Sequence, residues 1–229
     1  MPDRKPIFTA ETFRFFRDLA RNNKKTWMDA NRERYQECVV QPFRQLLDAT
    51  APFILELDSR FDTSGRTGAN FSRINRDIRF AKDKTLYNTQ MYLRFTVMLP
   101  GGRESGQLYA GISADTATVG YAIYTGPKRK ESPIALITEP RIQAKPGWPA
   151  HQKKRLGRRY ESYWYTSAKG KWAKHDGWPR ALEDWKKLHG WVVRRKLTPA
   201  AATRASYVSE IAKVFRELFP VLRFTSLPD

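Results

Sequence analysis

The sequence has little that would support a disulfide, a metal site or a membrane segment. Cys38 is the single cysteine, which excludes an intramolecular disulfide and a cysteine-based metal site. The three histidines, His151, His175 and His189, match no helical metal-binding pair, so we predict neither a metal nor a cofactor. No stretch approaches about 18 consecutive apolar residues, and no apolar signal segment follows the N-terminus. We therefore expect a cytoplasmic protein without a membrane partner.

The common catalytic and nucleotide-binding motifs are absent too. The chain contains no Gly-x-Ser-x-Gly elbow, no Walker loop and no Gly-x-Gly-x-x-Gly. Cys38 is followed by Val39 on the apolar face of a predicted helix, where a thiol is a poor nucleophile. The sequence therefore identifies no reaction.

Acidic residues are scarce relative to basic ones. The chain has 42 Lys and Arg against 23 Asp and Glu, a net charge of +19. Residues 128–196 contain 19 of these cations and 6 of the carboxylates, so +13 of the excess lies in one segment. Such a charge attracts polyanions, although a solvated basic surface would have the same composition.

Apolar residues make up 41% of the chain, enough for a core, and no linker composition divides it, so we predict a single domain over residues 1–229. Helical periodicity covers about 9–57, with Thr9 as the first N-cap and Asn22-Asn23 as a helix stop. The signature described below and a β-meander occupy about 71–124. A basic, aromatic-rich region broken by prolines such as Pro140, and then a C-terminal helix, occupy about 128–219. The predicted fold is α+β, with N- and C-terminal helices packed on an antiparallel sheet.

The most informative segment, here called the signature, spans residues 73–87. Its first 12 residues contain five cations and two carboxylates, interleaved with Ile74, Ile78 and Phe80. Apolar neighbours of this kind indicate that the charges are held by a folded core. In a strand, Arg73 and Asp77 would lie on the face opposite to that of Ile74. In a helix, Arg73 would instead form an ion pair with Asp77, four residues later. We favour the strand.

The signature also carries a resemblance to a known family. Its pattern is Arg-Ile-x-Arg-Asp-x-Arg-Phe-x-Lys-Asp-Lys-Thr-x-Tyr, and it is preceded by Asn22-Asn23, Trp27, Tyr35 and Gln41-Pro42. Together these residues resemble an uncharacterised bacterial family, domain-of-unknown-function family 2461 (DUF2461). The resemblance implies one compact α and β domain and supplies no catalytic residue.

Arginine and lysine held at fixed positions bind phosphate or carboxylate groups, so we predict an anion site at the signature for a phosphorylated or other anionic small molecule. The predicted ligand-binding residues are Arg73, Arg76, Asp77, Arg79, Lys82, Asp83, Lys84 and Tyr87. The alternative is a structural ion-pair network, in which Asp77 pairs with Arg73 or Arg76 and Asp83 pairs with Arg79 or Lys82.

A second hypothesis concerns residues 128–174, where basic and aromatic residues alternate as in single-strand nucleic-acid-binding proteins. Its candidate contacts are Lys153, Lys154, Arg155, Arg158, Arg159, Trp164 and Trp172. Tyr163 and Tyr165 would share one face of a strand with Trp164 on the other, so only part of this set can face a ligand. A protein-interaction domain without a small ligand is the third hypothesis.

Overall fold

The computed structural model describes residues 5–79, 81–100, 103–126 and 132–228. Phe80 and Lys128, which entered the predictions above, lie outside these ranges. The fold consists of N-terminal helices and a C-terminal helix around a six-stranded antiparallel sheet, which confirms the predicted α+β class.

The N-terminal helical region contains four α-helices and one π-helical turn. In chain order these are α1 (Ala10–Arg21), α2 (Lys25–Ala30), α3 (Arg32–Tyr35), the π-helical turn Gln36–Val40, and α4 (Gln41–Leu57). Thr9 caps α1 as predicted, because its hydroxyl accepts the N–H of Glu11 while Thr12 reaches back to the Thr9 N–H. Arg34 connects α3 to α1 through 2.7 Å ion pairs with Glu11 and Asp18.

Eight strands in two sheets follow within the described ranges. They are β1 (Gln90–Phe95), β2 (Met98–Leu99), β3 (Arg103–Glu104), β4 (Gln107–Ser113), β5 (Ala117–Tyr124), β6 (Glu161–Ala168), β7 (Lys171–Asp176) and β8 (Gly190–Leu197). The larger sheet has the order β1-β4-β5-β8-β6-β7, and β2 pairs with β3 separately. The strand order in the second half of the chain, for which no topology was predicted, is not sequential, since β8 lies between β5 and β6.

Five further helices complete the described structure: α5 (Pro133–Ala144), α6 (Trp148–Leu156), α7 (Leu182–Lys186), α8 (Pro199–Ala202) and α9 (Tyr207–Ser226). The predicted break at Pro140 was wrong, since α5 continues through it. Proline removes the N–H that would reach the carbonyl of Leu136. Because Leu136 is on the exposed side of the helix, that carbonyl is not sealed in the core.

The chain divides into two compact units, each built from three segments. The first contains Met1–Phe95, Tyr109–Val119 and Lys196–Lys213, and the second contains Thr96–Leu108, Gly120–Arg195 and Val214–Asp229. The single domain expected from composition stays a prediction.

Aromatic packing dominates the interior of the second unit. Trp191 on β8 contacts Trp185 on α7 at 5.1 Å between ring centroids, and Trp185 contacts Trp148 on α6 at 6.0 Å. Trp148 stacks on Phe224 of α9 at 3.7 Å. These contacts place α6, α7 and the end of α9 on the side of the sheet that Trp191 faces.

Glu217 on α9 anchors the segment between α6 and β6. Its carboxylate accepts two hydrogen bonds from Arg159, at 2.7 and 2.8 Å, and another from the hydroxyl of Tyr160. Its backbone carbonyl accepts a 2.9 Å hydrogen bond from Arg155. Arg155 and Arg159 therefore have structural roles.

The neighbouring arginines Arg158 and Arg159 allow a matched test of this anchor. We expect Arg159→Ala to lower the free energy of unfolding by about 1 kcal/mol, because it removes both hydrogen bonds from the guanidinium to the largely buried carboxylate of Glu217. Arg158 is exposed and forms no ion pair with any described residue, so Arg158→Ala should change stability by no more than about 0.5 kcal/mol. Urea unfolding of both variants measures the difference, and an equal decrease in both would contradict the anchor.

Candidate anion site at the signature

The signature forms an irregular hairpin rather than the favoured strand. The N–H of Arg76 donates to Leu86 O at 2.9 Å, the N–H of Asn88 donates to Ile74 O at 2.7 Å, and Asn75 forms an isolated antiparallel bridge with Tyr87. Exposure still alternates as in a strand, because Arg73 and Asp77 are exposed while Ile74 and Ile78 are half-buried. The predicted separation of these side chains onto two faces is therefore present, although the backbone does not form a continuous ladder of hydrogen bonds.

Asn23 clamps the returning arm of this hairpin. Its side-chain amide donates to Tyr87 O at 2.9 Å and accepts the Tyr87 N–H at 2.9 Å. The helix stop predicted for Asn22-Asn23 is thus divided between the two residues, since Asn22 is the C-cap of α1 and Asn23 binds a distant segment. Tyr87 itself is only 7% exposed, so its ring packs in the interior.

The residues before the signature are held against β1. The N–H of Ser72 donates to Tyr92 O at 3.0 Å, and the N–H of Arg94 donates to Asn70 O at 2.8 Å. The guanidinium of Arg94 also donates to the carbonyls of Gly68 and Ala69. Backbone hydrogen bonds on both sides therefore fix the main chain at Arg73.

Two arginines of the signature are paired with its own carboxylates. Arg76 donates to Asp83 at 2.7 Å and to Thr85, and Arg79 donates to both carboxylate oxygens of Asp77, at 2.9 and 2.7 Å. The Thr85 N–H holds the pKa of Asp83 below its ordinary value, and the Arg79 guanidinium does so for Asp77. Both carboxylates are thus weak bases. The four residues are paired with one another, as the ion-pair alternative requires, but in different pairs from those predicted.

Lys82 and Lys84 extend outward from the same loop. The ammonium of Lys84 donates to Ile78 O at 3.0 Å, and Lys82 is exposed without an ion pair to any described residue. Neither lines the cavity beside Arg73 that is described below.

Arg73 has a different environment. It forms no ion pair within the described ranges, and its guanidinium lies 3.7 Å from where a Cβ on Gly68 would be. Gly68 has φ +91°, a conformation that favours glycine, so the loop leaves the space beside Arg73 open. Arg73 and Arg44 of α4 both line a cavity of about 250 Å³.

Tyr35, at the end of α3, lines the same cavity. Burial raises the pKa of its hydroxyl to about 12, so the phenol stays protonated throughout the physiological range and remains a donor. Its ring packs against Phe15 of α1 at 5.6 Å, which holds it at the cavity wall. The cavity is therefore lined by two cations and a neutral hydroxyl group.

Sequence reasoning missed Arg44 and the role of Tyr35. Arg44 follows Phe43 as an ordinary exposed residue of an amphipathic helix, and no local pattern distinguishes it from other surface arginines. Only the packing of α4 beside the signature brings it to the cavity.

The predicted nucleic-acid contacts do not form one surface. Lys153 and Lys154 are exposed on α6, as is Arg158 just after it, whereas Arg155 and Arg159 are bound by Glu217. Trp164 is 8% exposed and stacks on His175 at 4.1 Å, while Trp172 is 39% exposed.

The described residues contain no cluster of three potential metal ligands, and none of their helices is long and apolar enough to cross a membrane. Burial raises the pKa of the Cys38 thiol to about 11, which disfavours the reactive thiolate.

Comparison with known proteins identifies a family for the chain. A family model described as a conserved hypothetical protein, DUF2461, matches residues 11–224, which confirms the resemblance noted above. No curated protein matches the chain.

The two asparagines after α1 provide a test of how the hairpin is held. Asn23→Ala leaves both the N–H and the carbonyl of Tyr87 without their partner, and we expect the free energy of unfolding to fall by about 1–3 kcal/mol. Asn22→Ala removes one exposed hydrogen bond, to Asp18 O, and should cost no more than about 0.5 kcal/mol. Denaturant unfolding compares the two, and a smaller decrease for Asn23→Ala than for Asn22→Ala would show that the clamp is dispensable.

Proposed function

The chain belongs to the DUF2461 family, and we propose that it binds a small anion, such as a phosphate monoester, in the cavity between Arg44, Arg73 and Tyr35. The observation that carries this proposal is the contrast among the arginines. Arg76 and Arg79 have carboxylate partners, whereas Arg44 and Arg73 line a cavity and form no ion pair with a described residue.

The donors at the cavity suit an oxyanion. Guanidinium groups present paired N–H donors that match the oxygens of phosphate and carboxylate, and a neutral phenol adds a hydrogen bond without competing charge. Arg73 is pre-positioned by its neighbours, because the side-chain amide of Asn88 donates to Arg73 O at 2.8 Å. A cation held in this way loses less conformational freedom on binding than one on a mobile loop.

The size and the lining of the cavity limit the ligand. About 250 Å³ accommodates an inorganic anion or a small phosphorylated molecule rather than a dinucleotide. None of the described residues that line it is Asp, Glu, His, Cys or Lys. Its hydroxyl groups, from Tyr35, Thr67 and Ser72, therefore have no lining carboxylate, histidine or lysine to activate them, and the proposal is restricted to binding.

The test is thermal stabilisation by inorganic phosphate, measured against chloride at equal ionic strength. A ligand at about 100 times its Kd adds about 2.7 kcal/mol to stability. For a chain of this size, each kcal/mol raises the Tm by about 2–4 °C. We expect Arg73→Ala and Arg44→Ala to abolish this shift, because each removes one of the two cations.

Arg79→Ala is the matched control, since Arg79 belongs to the signature but pairs with Asp77 outside the cavity. It should retain the full phosphate shift. Arg73→Lys keeps the charge but lacks the paired donors, and should retain only part of it. An equal shift in wild type, Arg73→Ala and Arg44→Ala would overturn the proposal, as would disappearance of the shift in Arg79→Ala alone.

A further inference from the structure

The register of β6 and β7 separates the aromatic residues of the basic segment onto two sides of the sheet. Tyr165 is opposite Lys174, and Ser167 is opposite Trp172, so these four residues share one side. Tyr163, two residues before Tyr165, is on that side as well. Trp164 is opposite His175 and Trp191, on the other side.

The side that carries Trp164 is covered. Trp191, opposite Trp164, packs against Trp185 of α7. On β5, the hydroxyl of Tyr121 forms a 2.6 Å hydrogen bond with Thr225 of α9. The sequence expectation that one side of this strand belongs to the core is confirmed, and Trp164 is the residue on that side.

The opposite side carries four rings, two exposed and two half-buried, which we call the aromatic face: Tyr124, Tyr163, Tyr165 and Trp172. Tyr124 and Trp172 are 51% and 39% exposed. Ring centroids lie 5.6 Å apart for Tyr124 and Tyr165, 5.3 Å for Tyr165 and Trp172, and 6.2 Å for Tyr124 and Trp172. Three of the rings thus form one continuous cluster.

Gly190 makes room for this cluster. It lies opposite Tyr165 on β8, and a Cβ added there would be 2.8 Å from Cδ1 of Tyr124. Any larger residue would displace the ring of Tyr124. The absence of a side chain at this position therefore allows Tyr124 to lie beside Tyr165.

Cations surround the aromatic face. Lys174 Nζ is 4.6 Å and Arg194 Cζ is 5.0 Å from the ring centroid of Tyr163, on the same side of the sheet. Both also have acidic neighbours, since Lys174 pairs with Asp176 and Arg194 with Glu161.

The hairpin between β6 and β7 adds two more lysines. Its turn residues Lys169 and Gly170 have φ +51° and +72°, as a two-residue hairpin turn requires. Lys169 and Lys171 are exposed and form no ion pair within the described ranges. Both lie at the tip of the hairpin. Lys169, in the turn, adds positive charge beside Trp172, whereas the register places the side chain of Lys171 on the side of Trp164.

We propose that the aromatic face binds single-stranded nucleic acid. Bases stack on exposed rings while cations follow the phosphates, and stacking surfaces on open sheets bind about two or three bases. Charge complementarity selects this occupant, because the chain carries a net charge of +19 and the cations flank the rings. Duplex bases are already stacked on one another and cannot reach the rings.

This proposal differs from the sequence-based hypothesis in its residues. Lys153 and Lys154 belong to α6, whose Trp148 packs on Trp185 on the covered side of the sheet. The binding surface therefore contains Trp172 of the predicted set, together with Tyr124, Tyr163, Tyr165 and Lys169 at the hairpin tip, and it excludes Trp164.

The test is titration of a fluorescent single-stranded 12-mer, in RNA and DNA forms, at several salt concentrations. We expect Trp172→Ala to weaken binding about 5- to 150-fold, the factor that corresponds to about 1–3 kcal/mol for one stacked base. Its salt dependence should be unchanged, because stacking releases no counterions. Trp172→Phe should retain most of the affinity, and the melting temperature confirms that each variant is folded.

The charge contribution is tested with two matched double variants. The double variant Lys169→Ala with Lys171→Ala should reduce the slope of the logarithm of the binding constant against the logarithm of the salt concentration, by about 0.7 for each phosphate that it no longer binds. The double variant Lys153→Ala with Lys154→Ala removes the same charge and should leave this slope unchanged. The proposal is overturned if the two pairs have equal effects, if Trp172→Ala binds like wild type, or if a duplex of the same sequence binds as tightly as the single strand. Arg73→Ala should have no effect, so the result is independent of the anion site.

Discussion

Alternation of side chains across an extended backbone is the constraint on which both proposed sites depend. In the signature it turns Ile74 and Ile78 toward the interior and leaves Arg73 exposed. In β6 it turns Trp164 toward the core and leaves Tyr163 and Tyr165 on the open side. Each site thus exists because adjacent residues of one segment have opposite environments.

The ion pairs of the signature show why charge density alone is a poor guide to a binding site. Arg79 and Asp77 are two residues apart and satisfy each other locally, as do Arg76 and Asp83 across the loop. Exposed pairs of this kind contribute little to stability, but they hold the loop in one conformation and remove those cations from competition for a ligand. Arg73 forms no ion pair with a carboxylate among the described residues, and this difference is the basis of the proposal that it binds an anion.

Several features were predictable because they depend on local chemistry. Thr9 as an N-cap and the strand near residues 91–95 follow from short-range patterns, and the family resemblance was carried by the signature and the residues before it. Other predictions failed where tertiary contacts overrode the local preference. Pro140 was expected to end a helix, yet α5 continues through it. β7 was not predicted, since Lys171–Asp176 has few apolar residues and owes its strand to pairing with β6.

The sequence by itself determined the α+β class, the positive charge and the separation of Tyr163 from Trp164, because composition, periodicity and the two-residue repeat of a strand are properties of the chain. Only the tertiary structure decided which charges are neutralised and which rings are exposed. Arg44 reaches the signature cavity through the packing of α4, and Arg159 is bound by Glu217, which is 58 residues away in sequence. Such partners are chosen by the folded arrangement of helices and strands, which no local pattern encodes.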